Sequence, residues 1–282
     1  MSRRTRVVAL AAATAIALAV AAAEAHDLFL RPRDFVVRVG SEVQVRVLNG
    51  TFTSSEAAVS RGRLRDLSIA GPAGIARADR TAWVDATNES QWRVVLRDAG
   101  THVLGASLHP RTIRLSGTEF NAYLRDEGLP EMVEARKAAR QLGDSAHERY
   151  AKHVKALVRA QGSTAARAAA DTAYRTVFGY PAELVPLDDP YALPAGGVLR
   201  VRALVDGRPA RSRVVQAGGR TTSGGRIAQR ELWTDSAGIA RVRLDTRGTW
   251  YVKFISMRPV PAAAGDSVNY ESKWATLTFA RP

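Results

Sequence analysis

Between Phe35 and Leu48 the chain reads FVVRVGSEVQVRVL, with apolar side chains at alternate positions. Phe35, Val37 and Val39 share one face of a strand. Val43, Val45 and Val47 share a face of the next, across Gly40-Ser41. Period-two alternation broken by a glycine turn predicts a β-hairpin. RLRDLSIAGPAG and QWRVVLRDAGTHVLGASL continue in the same style, so 26–117 is predicted to be an antiparallel β-sandwich. The pattern then changes. FNAYLRDEGL predicts a helix that Gly128 ends, and Pro130 suits the first turn of another. SAHERYAKHVKALVRAQ places Tyr150, Val154, Leu157 and Val158 at helical spacing, and TAARAAADTAYRTVF predicts a further helical piece. Residues 118–178 are therefore expected as a helical insert.

Four prolines within 179–197 mark a linker. Alternation returns over 198–282, where Asp206-Gly207 is a hairpin-turn dipeptide and Ala240, Val242 and Leu244 point inward. Trp233 and Trp250 are expected in this second core. The predicted fold class is mainly β with an α-helical insert, comprising two antiparallel β-sandwich regions of immunoglobulin or transthyretin type.

The first 25 residues read differently. Arg3, Arg4 and Arg6 precede an Ala/Val/Leu/Ile run from Val7 to Ala22, and Ala23 and Ala25 supply the small residues of a cleavage site. This predicts a secretory signal peptide cut after Ala25, and hence a periplasmic or secreted protein with no stable membrane span after cleavage. Cut there, His26 becomes residue one.

Charge and cysteine usage narrow the chemistry. The chain has 282 residues, no cysteine and a net charge of +14, which loss of Arg3, Arg4, Arg6 and Glu24 would lower to +12. Without cysteine there are no disulfides and no thiolate metal sites. The positive charge is mostly arginine, scattered along alternating strands as in RVRLDTR, which reads as solvated strand faces and not as a nucleic-acid surface. No Gly-x-Ser-x-Gly, P-loop or dinucleotide fingerprint occurs.

AHDLFLRP, FNAYLRDEGL, ERYAKHVKALV, ELVPLDDPY, ALVDGRPA, WTDSAGIARV and YESKWATLTF together resemble the exported bacterial family known as domain of unknown function 4198. The resemblance covers nearly all of the chain beyond the leader. It implies a periplasmic component of nickel or cobalt uptake working with an inner-membrane ABC transporter. The chain departs from that pattern at His102 and His153, where aromatics are usual.

His26 is the sharpest candidate for chemistry. As a true amino terminus, its α-amine and Nδ1 can close a six-membered ring on one metal ion, and two nitrogen donors suit Ni(II), Co(II) or Cu(II). His102 and His109 are the candidate partners. Seven apart, they fall on opposite faces of a regular strand unless Gly105 hosts a bulge. His147 and His153, six apart on a predicted helix, do not converge. Glu271, Lys273 and Trp274 read as a core tryptophan beside a structural salt bridge, and Asp126-Glu127 and Asp188-Asp189 as cap or linker residues. The expected function is binding or uptake of nickel or cobalt. The alternatives are an immunoglobulin-like cell-envelope binding module and a copper enzyme built on an amino-terminal histidine chelate.

Overall fold

The structure is a computed structural model that describes residues 26–162, 171–261 and 267–282. The predicted leader lies outside the described residues, as does 164–170 of the alanine-rich piece expected to be helical; its described part, 171–178, holds one 3-10 turn, Ala173–Arg175, and no α-helix. In chain order the first strands are β1 (Asp27–Pro32), β2 (Val36–Arg38), β3 (Glu42–Gly50), β4 (Leu64–Gly71), β5 (Gly74–Arg77), β6 (Trp83–Asp85), β7 (Ser90–Val95), β8 (Gly100–Leu108) and β9 (Arg111–Leu115). Helices α1 (Gly117–Asp126) and α2 (Pro130–Ala138) follow, then β10 (Ala146–Gln161) and β11 (Ala182–Pro186). The rest are β12 (Val198–Val205), β13 (Arg208–Pro209), β14 (Val214–Thr221), β15 (Arg226–Trp233), β16 (Ile239–Arg243), β17 (Gly248–Pro259) and β18 (Tyr270–Arg281).

The protein is mainly β, and its two sandwiches share one central sheet. That sheet runs β15-β14-β17-β18-β10-β8-β4-β5, with β2 and β9 also paired to β10. The sheet β1-β3-β7-β6 covers one face, where Leu28, Val45, Trp83 and Trp92 pack on Leu104, Val154 and Val158. The sheet of β11, β12, β13 and β16 covers the other, where Leu199, Val201 and Val242 pack on Leu157, Val252 and Leu277. The helices extend the first covering layer: Phe120, Leu124 and Met132 pack against Tyr150, Ile255, Tyr270 and Trp274. Among the described residues no helix is long and apolar enough to cross a membrane.

Several local expectations hold. The FNAYLRDEGL segment forms α1, which the structure shows capped by Ser116 in a reciprocal capping box with Glu119, and Pro130 opens α2 as expected. Asp206 and Gly207 both have positive φ and join β12 to β13 as a two-residue hairpin. Ala240, Val242, Leu244 and Trp250 are buried in the second core.

Others are corrected. The 146–161 segment, expected as helix, is the longest strand among the described residues. It is buried on both faces, so it lacks the polar alternation that betrays a half-buried strand, and its apolar spacing imitates a helix. His147 and His153 therefore stand on a strand. Residues 182–186, placed in the linker, form β11. The Gly40-Ser41 turn is present, but the strands it joins enter different sheets: β2 pairs with β10, and β3 with β1 and β7. Trp233 is 58% exposed and does not join the core.

Candidate metal-binding amino terminus

His26 sits at the entry to β1, and β1 is fixed from below by two threonines of β18. Thr276 Oγ donates to the Leu28 carbonyl at 2.7 Å, and Thr278 Oγ donates to that of Leu30. The main chain of His26 is held as well. Lys152, buried on β10 over the rings of Tyr150 and Trp274, donates from Nζ to the His26 carbonyl at 2.5 Å and to Asn49 Oδ1 at 3.3 Å. Successive residues of β10 serve opposite faces: Lys152 faces the His26 layer, while His153 and Lys155 face the other covering sheet.

The loop after β3 brings a carboxylate to the imidazole. Thr51 N–H donates to the Ser54 carbonyl and Glu56 N–H to that of Asn49, each at 2.9 Å. Gly50 permits this tight return, because a Cβ there would lie 2.7 Å from the Ser54 oxygen. Glu56 Oε2 consequently lies 2.9 Å from His26 Nε2. The pair is close enough for charge attraction, although Nε2 has no well-aligned hydrogen bond. The ring is part-buried and Glu56 is more exposed, so this contact is readily rearranged.

Beneath His26 lies a buried ionic cluster. Lys253 Nζ reaches Asp27 Oδ2 at 2.6 Å and Glu127 Oε2 at 2.8 Å. Burial opposes the charge on Lys253, but the two carboxylates outweigh it and hold its pKa above the usual lysine range. Burial, with repulsion from Asp27, lifts Glu127 to about 7 against the pull of Lys253. Asp27 Oδ1 is buried without a hydrogen-bond partner. Nearby on β10, Glu148 is lifted to about 7 by burial, despite hydrogen bonds from Ser272 and Tyr123.

The other candidate histidines do not come to His26. His102 is in β8 opposite Val158, six residues along β10 from the lysine that holds His26, a span of roughly 20 Å. It is 3% exposed, its Nδ1 is 3.3 Å from the Gly100 carbonyl, and burial lowers its pKa. His109 is exposed past the end of β8, its main chain bound to Arg63. Gly105 therefore need not reset any face, since His109 has already left the strand. His147 contacts Ser267 at the surface. His153 is buried with Nδ1 2.8 Å from Ser107 Oγ, and burial drives its pKa down to about 3. Among the described residues no three His, Asp or Glu side chains converge as a metal cage.

Sequence reasoning missed Glu56, Lys152 and Lys253; Glu127, read as a cap residue, is the C-cap of α1, and its carboxylate also joins the Lys253 cluster. Glu271 pairs with Arg258, and Lys273 with Asp206, as expected of structural salt bridges. Trp274 is buried, stacked on Tyr123 in the helix–sheet core.

Fold and site together define a three-layered β-sandwich protein with a helical insert, whose first strand starts over a buried cluster of lysines and carboxylates. A family model, Domain of unknown function (DUF4198), matches residues 23–258, and the chain belongs to that family. A search of curated proteins finds no match. Among solved structures, a DUF4785 family protein from Legionella pneumophila is similar at 10% identity and a TM-score of 0.22. That match covers 79% of this chain and 49% of the other, so the chain spans about half the length of that protein.

Proposed function

We propose that the protein is exported, cut after Ala25, and carries a transition metal, nickel or cobalt foremost, on the free amine and Nδ1 of His26 for delivery to an inner-membrane transporter. The observation that carries this reading is the 2.9 Å approach of Glu56 to Nε2, from which a small rotation of either side chain completes a hydrogen bond. A metal-ligating histidine usually gives its second ring nitrogen to a carboxylate, which fixes the tautomer and makes the ligand more basic. With the proton on Nε2, the remaining lone pair is on Nδ1, the nitrogen that can chelate together with the α-amine. Lys152 holds the carbonyl of the same residue, which limits how far the chelate can swing. The unpartnered oxygen of Asp27 is an additional hard donor on the adjacent residue.

Two nitrogens suit Ni(II), Co(II) or Cu(II) better than calcium or magnesium. No second histidine stands beside them among the described residues, which favours an exchangeable cargo over a resident redox copper. The positive charges of Lys152 and Lys253 also temper affinity for a cation.

The test compares protein beginning at His26, a form with five Gly/Ser residues ahead of His26, and Glu56→Ala. A five-residue extension avoids rebuilding a terminal-amine chelate that includes His26. Calorimetric titration with Ni(II), Co(II) and Cu(II) at neutral pH should show binding weakened at least tenfold by the extension and less by Glu56→Ala. Equal affinity of the extended form refutes the proposal, and absence of binding in every form favours an envelope-binding module.

A further inference from the structure

At the other end of β1 the chain builds a second site of opposite character. A cavity of about 660 Å³ opens where β1 ends beside the ends of β14, β17 and β18, and it is lined by Arg31, Arg33, Arg220 and Arg281. The strand ladders set this convergence. Arg220 pairs with Thr249, which pairs with Ala280; Thr221 pairs with Gly248, which pairs with Arg281. Gly248 is required at the centre of the second rung. Its φ is +146°, and a Cβ would lie 2.0 Å from the Arg220 carbonyl oxygen.

None of the four arginines forms an ion pair among the described residues, although Asp34 lines the same cavity. Elsewhere arginines meet carboxylates, as in Arg46–Glu89, Arg200–Asp188, Arg230–Asp245 and Arg258–Glu271. Here no ion pair is formed among the described residues. Arg31 donates to the Phe52 carbonyl at 3.1 Å and lies over that ring, and Arg220 donates to the Gly224 carbonyl at 3.0 Å. Arg281 is only 5% exposed, yet its Nε has no hydrogen-bond partner. Burial, then repulsion from Arg46 and Arg220, lowers the pKa of Arg31. Asp34 is the acidic side chain on the lining.

Arg31, Arg33 and Arg220 meet at one cavity without an ion pair to any carboxylate among the described residues, and such a cluster of like charges is relieved when an anion binds between them. Guanidinium forks match phosphate and carboxylate oxygens in pairs, and the threonine hydroxyls of the same lining add neutral donors and acceptors. The volume exceeds one phosphate and falls in the usual range for small-molecule cavities. We infer that this cavity binds a soluble small molecule carrying two or more phosphate or carboxylate groups, at a site separate from His26.

The probes are pyrophosphate, citrate and inorganic phosphate, titrated calorimetrically into the protein at low ionic strength. Pyrophosphate or citrate should bind more tightly than phosphate, with affinity falling as salt rises. Arg33→Glu with Arg220→Glu should weaken binding at least tenfold. Arg61→Glu with Arg93→Glu, the same charge change at exposed sites elsewhere, should alter it less than twofold. Circular dichroism checks folding, and Arg33→Gln alone, at an exposed position, replaces the double variant should that one misfold. Ni(II) binding should be unaffected by any of these changes, which separates this site from the metal reading. Absence of binding, equal loss in both double variants, or binding only to phosphatidylglycerol vesicles and to no free anion would overturn the inference.

Discussion

Replacing Glu148 by Gln should make the protein's stability less dependent on pH, by an amount the structure sets. Glu148 is 2% exposed on β10, under α1, where its Oε1 accepts from Tyr123 and Ser272. Burial lifts its pKa from 4.5 to about 7. In that interval the native state keeps a proton that the unfolded chain releases, so stability falls as pH rises. The loss begins near pH 4.5 and is complete just above 7. At about 1.4 kcal/mol per pH unit, the interval corresponds to roughly 3 kcal/mol. Gln keeps an acceptor for Tyr123 and Ser272 and never ionises. Urea unfolding of both proteins at several pH values between 4 and 8.5 gives the difference directly, and slopes due to Glu127 and the surface carboxylates cancel in it. The variant should gain about 3 kcal/mol relative to the parent between pH 4.5 and 8. A difference that stays flat across this range would show that Glu148 is not held protonated by burial, and the reasoning would fail.

Leu157→Ala, at a position fully buried in the second core, should cost about 2–5 kcal/mol in denaturant unfolding, whereas Trp233→Ala, at an exposed position, should change stability by less than about 0.5 kcal/mol. Lys155→Met leaves the buried carboxylate of Glu183 without its cation and should cost about 3–5 kcal/mol, while adding Glu183→Gln should recover part of that loss in a double-mutant cycle. Gly50→Ala forces the Ser54 carbonyl aside and should weaken metal binding by displacing Glu56, with little change in the far-ultraviolet dichroism that reports the sheets.

The covering strands that have one wet face were legible, whereas β11, buried throughout, was read as linker. Val43, Val45 and Val47 alternate with Glu42, Gln44 and Arg46, and Ala240 and Val242 with Arg241 and Arg243. The central strand β10 was not legible. With both faces buried it carries Ala, Val and Leu alongside buried lysines, whose ammonium groups are satisfied inside the protein, and a buried histidine, a pattern that local periodicity reads as helix. The sharing of one sheet by both sandwiches was hidden for the same reason, since it depends on β10 and on the distant β18 pairing beside it in parallel. At the site, His26 stood out through its place after a predicted cleavage signal. Glu56, Lys152 and Lys253 are 30, 126 and 227 residues further along the chain, in segments with no local mark of function, and only the fold brings them to the first strand.

The claim that the free terminus of His26 is the metal ligand is tested most directly by electron paramagnetic resonance of Cu(II), added below one equivalent at neutral pH, with an isotopically labelled nitrogen in the His26 amine. Protein beginning at His26 should show two nitrogen donors in the copper plane, with a splitting that changes on labelling the amine. The Gly/Ser-extended form should lose the amine donor. A spectrum indifferent to the label, or identical in the two forms, would contradict the assignment.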